Sequence, residues 1–462
     1  MTLIKSISGI RGTIGGKVGA GLSPLDIAKF TAAFVKLLEH DATGDKLRVV
    51  VGRDARLSGY FVNQLVCGTL QAMGAHVIDV GLSTTPTVEV AVAALKADGG
   101  IILTASHNPA QWNALKLLNN KGEFISGSEG EWLLNMAEKE DFDFAEIENI
   151  GTYAEQEGWI QKHIEMVLEL PLVDREAIAA ADFKIAVDAV NSTGGLAIPA
   201  LLKALGVKTV FPLYCEPNGK FPHNPEPLPE HLTDLSELVI KEKADLGFVV
   251  DPDVDRLAIV DENGAMFGEE YTLVAVADYV LQHSPGATVS NLSSSRALRD
   301  ITQKHGQQYS ASAVGEVNVV ELMKATNAII GGEGNGGIIY PELHYGRDAL
   351  VGIALFLSHL AHQKKSVSEL RETYPAYFMS KNKIQLTPGT DVDALLEALA
   401  KHYQNEQLTT IDGLKIDFKD GWVHLRKSNT EPIIRVYAEA KSKAAADELA
   451  GQMMQVVERL GK

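Results

Sequence analysis

Gly99-Gly100-Ile101-Ile102-Leu103-Thr104-Ala105-Ser106-His107-Asn108-Pro109 is the stretch on which the fold turns. Its apolar first half has the length of a fully buried strand, and its second half leaves through a hydroxyl-rich, proline-ended turn. Upstream, residues 47–51 and 75–82 read as two more strands, with amphipathic helices at about 60–73 and 86–96 between them. That β-α-β-α-β alternation predicts a mostly parallel sheet covered by helices. Ser106, held where a strand becomes a turn, is a candidate nucleophile, and a plain turn cap is the simpler alternative.

The pattern recurs downstream. Strands at 184–188, 206–214 and 245–250 form a second unit, and strands at 287–292, 308–314 and 327–331 a looser third one. The third strand of each unit runs into an unusual loop. These are Ser106-His107-Asn108-Pro109, Asp251-Pro252-Asp253-Val254-Asp255-Arg256 and Gly332-Glu333-Gly334-Asn335-Gly336. In parallel sheets, ligands gather at such strand ends. From about residue 374 the character changes: a helix at 391–404, short strands near 410–417, 421–427 and 432–439, and a closing helix predict a small α+β domain. The expected organisation is an α/β protein with domains at 1–150, 151–255, 256–370 and 371–462.

A length of 462 residues exceeds what one core usually serves. The net charge of −18 disfavours nucleic acid and anionic membrane surfaces as partners. Cys67 and Cys215 have no metal-ligand spacing, and the longest apolar run, 349–357, is too short to span a bilayer. With no sustained apolar region near residue 1, a reducing, cytoplasmic location is expected.

Asp251, Asp253 and Asp255 can converge on one hard cation, and oxygen-only ligation favours Mg²⁺. An EF-hand is disfavoured because Arg256 occupies the glycine position and a strand precedes the loop. Asp-x-Asp after an apolar strand also resembles haloacid-dehalogenase-type phosphatases, in which Asp251 would accept the phosphoryl group. Arg426, Ser428, Asn429 and Thr430, with Arg435 beyond them, offer paired donors suited to phosphate oxygens, and a hairpin loop with a surface arginine is the simpler alternative. Glu333 and Asn335, in a loop continuing to Gly336, suit vicinal sugar hydroxyls, although Gly-Asn-Gly by itself is just a turn. Arg11 lies between Gly9 and Gly12 and reads as a loop residue. Lys116, on an otherwise apolar segment, is a proton-transfer candidate if desolvation lowers its pKa, and otherwise a snorkelling strand-edge lysine.

Taken together, the four loops resemble the α-D-phosphohexomutase superfamily over essentially the whole chain. Their wording, with Ile339-Tyr-Pro-Glu-Leu-His344-Tyr-Gly-Arg347-Asp348, is most similar to the archaeal-like phosphoglucosamine mutases. The resemblance implies three topologically similar mixed-sheet α/β domains and a smaller α+β domain around a central cleft. It implies Ser106 as a phosphoserine that also contributes to the metal site, with His107, Lys116, Arg11 and Arg256 acting at the reacting phosphate. Asp251, Asp253 and Asp255 would hold Mg²⁺. Glu333, Asn335 and Gly336 would bind the sugar, and Arg426, Ser428, Asn429, Thr430 and Arg435 the phosphate that is not transferred. The implied activity interconverts hexose 6-phosphate and hexose 1-phosphate through a hexose 1,6-bisphosphate, with glucosamine phosphate as substrate, or else mannose or glucose phosphate. A phosphosugar is then the expected partner, and homo-oligomerisation is left open. Two departures stand out: Pro252 and Val254 replace glycines common in the metal loop, and Asn335 and Gly337 replace a common Ser and His in the sugar loop.

Overall fold

A computed structural model describes residues 2–6, 9–41, 46–386, 391–427 and 433–460. The chain forms two compact units, Met1–Tyr279 with Asn335–Leu370, and Val280–Gly334 with Arg371–Lys462. The first begins with strands β1 (Leu3–Ser6) and β2 (Gly9–Thr13), helix α1 (Pro24–Asp41), β3 (Arg48–Arg53), α2 (Gly59–Ala72) and β4 (His76–Leu82). Helix α3 (Thr85–Leu95), β5 (Gly99–Leu103), β6 (Trp112–Leu118) and β7 (Tyr153–Glu155) follow. The sheet order is β1-β2-β6-β5-β3-β4-β7. Strand β3 runs parallel to β4 and β5, while β6 is antiparallel to β5 and β2. Val49 and Val51 pack into the core beneath α1 and α2, and Val50 with Ile102 packs on the opposite face beneath α3. Burial on both faces is why these strands read as continuous apolar runs rather than as alternation.

Arg11 corrects the sequence reading, because it lies on β2 rather than in a loop, paired with Ile4 of β1 and Ala114 of β6. The glycine beside it had suggested a loop. Gly9 instead has φ +111°, and a Cβ there would sit 2.5 Å from the Leu115 carbonyl oxygen, so it permits close strand approach.

Helix α3 is started by Thr84, whose hydroxyl accepts from the Thr87 N–H, with Pro86 in the first turn. In the second sheet, Leu246–Val250 runs parallel to Lys184–Asp188 and antiparallel to Leu257–Asp261. Residues 251–256 are therefore the connection of a hairpin, as residues 104–111 are between β5 and β6. The apolar run at 349–357 belongs to the helix Ala349–Gln363, capped by Asp348 and buried from Ala349 to Leu360. No described helix is long and apolar enough to cross a membrane.

In the second unit, Thr288–Asn291 lies parallel to Tyr309–Ser312 and Ile330–Glu333. A five-stranded sheet, ordered Phe378–Gln385, Ile433–Ala440, Gly421–Lys427, Leu414–Asp417, Gln407–Thr409, packs against Val392–His402 and Lys443–Leu460. Buried polar groups join the two parts of this unit. Arg296 Nη2 donates to Asp417 Oδ1 at 2.8 Å and to the Gly421 carbonyl at 2.7 Å, and Lys415 Nζ donates to the Leu292 carbonyl at 2.8 Å.

Candidate active site

The serine loop is held open by one side chain. Arg56, almost wholly buried, donates from its guanidinium to the carbonyls of Ser106, Asn108 (2.8 Å), Pro109 (2.9 Å) and Trp112 (3.1 Å). Its Nε is paired with Asp54 Oδ2 at 2.9 Å, and the same oxygen accepts from Thr104 Oγ1 at 2.7 Å. Thr104 Oγ1 in turn accepts from the Ser106 N–H at 2.9 Å. These contacts fix Ser106 at φ +49°, a left-handed conformation uncommon for a non-glycine residue.

So presented, the Ser106 hydroxyl donates to Asp251 Oδ2 at 2.6 Å, and His107 Nδ1 lies 3.3 Å from it. Asp251, Asp253 and Asp255 are all fully buried, and one carboxylate oxygen from each falls within 4.8 Å of the others. The turn closes with Val254 at φ +65°, so a β-branched residue here takes the left-handed conformation that glycine adopts freely.

External partners hold two of the three carboxylates. Asp253 Oδ2 accepts from Thr85 Oγ1 (2.6 Å) and Lys116 Nζ (2.7 Å). Asp255 Oδ2 accepts from Arg347 Nη2 (2.7 Å) and Lys116 Nζ (3.1 Å). The other oxygens, Asp253 Oδ1 and Asp255 Oδ1, are buried without a hydrogen-bond partner among the described residues. Buried oxygens of this kind are costly unless something pairs with them. A hard divalent cation answers that need, so the donor set fits Mg²⁺.

The electrostatics agree. Burial, then the charges of Asp255 and Asp253, push the Asp251 carboxyl well above its ordinary range. Burial acts the same way on Asp255, but Arg347, Lys116 and Arg256 outweigh it and hold it well below. Burial and the Arg256 charge keep the His107 ring well below its ordinary value, hence neutral. For Lys116 the structure goes against one of the two sequence readings, a pKa lowered by desolvation. Desolvation does press its pKa down, but Asp253 and Asp255 prevail and raise it, so the ammonium is firmly charged.

The first unit thus brings together Ser106, His107, Lys116, Asp251, Asp253, Asp255 and Arg256, whose Nε is 3.9 Å from Asp255 Oδ1. Arg11, on β2, acts electrostatically on His107. Gly336 is beside the metal loop, its carbonyl accepting from the Leu257 N–H at 3.0 Å, while Asn335 Oδ1 accepts from the Gly337 N–H at 3.2 Å. In the second unit, Glu333 Oε1 accepts from Asn291 Nδ2 (2.9 Å) and the Gly315 N–H (3.2 Å). Arg426 and Arg435 are directly opposed on adjacent strands, and Lys383 faces Arg435 from the next strand. Asp412 Oδ2 pairs with Arg426 Nε at 2.8 Å, so one carboxylate offsets part of this row, and the net charge that is left still suits an anion. Ser428, Asn429 and Thr430 lie outside the described residues. Sequence reasoning gave no role to Arg56, Asp54, Thr85 or Arg347. An Asp-x-Arg pair just after a buried strand was the available signal for the first two.

The chain is similar to known proteins along almost its whole length. Four family models match in order: the phosphoglucomutase/phosphomannomutase alpha/beta/alpha domains I, II and III over residues 3–144, 161–264 and 268–377, and the C-terminal domain over 383–456. A phosphoglucomutase/phosphomannomutase from Thermococcus kodakarensis is 36% identical over 95% of this chain and 96% of its own. A phosphoglucosamine/phosphogalactosamine mutase from Sulfurisphaera tokodaii is 33% identical over 90% and 92%. The crystal structure of a phosphoglucomutase/phosphomannomutase family protein from Burkholderia thailandensis superposes with a TM-score of 0.85 at 27% identity, covering 99% of this chain and 98% of that one.

Proposed function

Because the chain belongs to the phosphoglucomutase/phosphomannomutase family of α-D-phosphohexomutases, and is therefore a mutase, we propose that it interconverts hexose 6-phosphate and hexose 1-phosphate through phosphoserine 106. The observation that carries this reading is the 2.6 Å hydrogen bond from Ser106 to a buried aspartate cluster, two of whose oxygens have no hydrogen-bond partner among the described residues. In the forward half-reaction the phosphorus–Oγ bond of phosphoserine breaks as a bond forms to the free sugar hydroxyl. The sugar oxygen loses its proton and Ser106 regains one. The hexose 1,6-bisphosphate then returns its other phosphoryl group to Ser106.

Asp251, Asp253 and Asp255, with Ser106, would hold Mg²⁺, whose charge would neutralise part of that on the phosphoryl group. Arg11, Arg256 and neutral His107 bind phosphate oxygens. Lys116, charged at rest, delivers a proton in one direction and takes it back in the other. Glu333, Asn335 and Gly336 orient the sugar. Arg426 and Arg435, with Ser428, Asn429 and Thr430, grip the phosphate that is not transferred, and the cation row with Lys383 supports that assignment.

The family match disfavours an aspartyl-phosphate mechanism. Asp251 Oδ2 accepts from the Ser106 hydroxyl, and Oδ1 accepts from the N–H groups of Asp255 and Arg256, each at 3.2 Å, an arrangement that suits a carboxylate serving the serine site. For the sugar we favour glucosamine phosphate, as the name of the S. tokodaii relative suggests, with mannose or glucose phosphate as the alternative. Coupled assays on glucosamine, glucose and mannose 6-phosphates test the choice. Turnover on glucosamine 6-phosphate at least tenfold above the other two supports it, and a preference for either other sugar overturns it.

A further inference from the structure

Behind the metal loop lies a buried chain of ionisable groups that the reaction does not use. Asp348 caps its helix with Oδ1, while its Oδ2 accepts from His163 Nε2 at 2.9 Å and His344 Nε2 at 3.3 Å. The second nitrogen of each ring faces α3. His163 Nδ1 is 3.0 Å from Thr87 Oγ1, and His344 Nδ1 forms an ion pair with Glu89 Oε2 at 3.2 Å. All of these side chains are essentially buried.

This chain meets the aspartates at two places. Both of its ends are on α3, which begins with Thr85, whose hydroxyl reaches Asp253 Oδ2 and whose N–H donates to the Asp253 carbonyl at 2.8 Å. At its middle, Arg347, adjacent to Asp348, reaches Asp255 Oδ2. Two glycines leave the room this requires: a Cβ on Gly337 would lie 2.3 Å from Arg347 Cδ, and one on Gly346 would lie 1.8 Å from Glu89 Oε2. Gly337 is the position where a histidine was expected from the resemblance, and here it is the arginine that fills the space.

We propose that Thr85, Arg347 and the buried chain Thr87–His163–Asp348–His344–Glu89 form one positioning brace, which fixes Asp253 and Asp255 from outside so that their free oxygens converge on the cation. The inference rests on the reading of Asp251, Asp253 and Asp255 as a cation site. Outer partners that orient metal ligands are commonly worth 10–100-fold in metal affinity. Electrostatics alone would act oppositely at Arg347, since deleting a positive charge beside Asp255 should tighten cation binding. The sign of the effect therefore separates positioning from simple charge.

The test is Mn²⁺ titration of the full-length chain by electron paramagnetic resonance, with sugar-phosphate KM and thermal unfolding measured beside it. Arg347→Met and Thr85→Val are each expected to weaken Mn²⁺ binding by about tenfold or more. Arg347→Lys is expected to recover part of the loss. His163→Gln, which does not touch the loop, is expected to weaken binding several-fold in the folded protein. Equal or tighter Mn²⁺ binding by Arg347→Met and His163→Gln overturns the brace, and a fall in unfolding temperature alone marks a merely structural network. An unmodified chain that binds no Mn²⁺ overturns the cation site itself. A stoichiometric transition metal that co-purifies and is lost in His163→Gln would show that His163, His344 and Asp348 are ligands instead.

Discussion

Ser106 and Asp251, 145 residues apart in sequence, share a 2.6 Å hydrogen bond at the meeting point of two hairpin connections. The carboxyl in that bond is held well above its ordinary range by burial and by Asp255 and Asp253. Replacing it with its neutral isostere, Asp251→Asn, should therefore leave the cation-free fold as stable as before or more so. Turnover should fall by at least about 10²-fold, because one of three anionic ligands is lost. Thermal unfolding in EDTA and a coupled mutase assay check the two halves, and a destabilised but fully active variant would contradict both.

Arg56 ties four loop carbonyls to Asp54. Arg56→Met leaves Asp54 buried without its counter-charge, held only by the Thr104 hydroxyl and the N–H of residue 56, which should cost about 3–5 kcal/mol. Adding Asp54→Asn should recover much of that stability, since the stranded charge is gone. It should not restore turnover, because the carbonyls that hold Ser106 stay unbound. Chemical denaturation and turnover of the single and double variants separate the two effects.

Arg426, Arg435 and Lys383 form a cationic row across three strands. If they hold the phosphate that is not transferred, Arg426→Ala should raise the sugar-phosphate KM by about 10–100-fold, the worth of one charged hydrogen-bond set. Lys383→Ala should raise it by several-fold, and added salt should mimic that smaller loss. Initial-rate kinetics at low and high ionic strength measure both.

Lys415 carries a pH dependence within the second unit. Burial, only partly offset by Asp417 and Glu439, lowers its ammonium to about 8. The unfolded chain keeps that proton up to about 10.4. Between those values the unfolded state binds more protons, so the stability owed to this site rises with pH. Compared with Lys415→Met, the unmodified chain should gain stability from pH 8 to pH 10 by up to about 1.4 kcal/mol per unit. Below pH 8 the difference should be flat. Denaturation midpoints of the pair across this range supply the comparison, and a flat difference above pH 8 would contradict the assignment.

The legible parts of the sequence were those where chemistry is local. Buried strands such as 49–51 and 101–103 announced themselves by runs of Val, Ile and Leu, and the loops behind them by residues that suit turns and ions. Legibility failed where a residue's role is decided by distant chain. The apolar strand around Lys116 left a discharged lysine and a snorkelling one equally open, but Asp253 and Asp255, 137 and 139 residues away, keep it charged. Glycines around Arg11 signalled a loop, yet Gly9 serves close packing against β6. Nothing in a valine marks Val254 as left-handed, since β-branched residues rarely adopt that conformation. Arg56, Thr85 and Arg347 were silent for the same reason: each acts through a partner that only the fold brings near.

Ser106, as the phosphoryl carrier, can be trapped in its phosphorylated form. The purified chain is incubated with Mg²⁺ and a hexose 1,6-bisphosphate, quenched, and the phosphorylated residue located by mass spectrometry before and after hydroxylamine treatment. Phosphate on Ser106, unaffected by hydroxylamine and absent in a Ser106→Ala variant that has lost mutase turnover, is the expected result. Hydroxylamine-labile phosphate on Asp251, or full mutase turnover by Ser106→Ala, would contradict it.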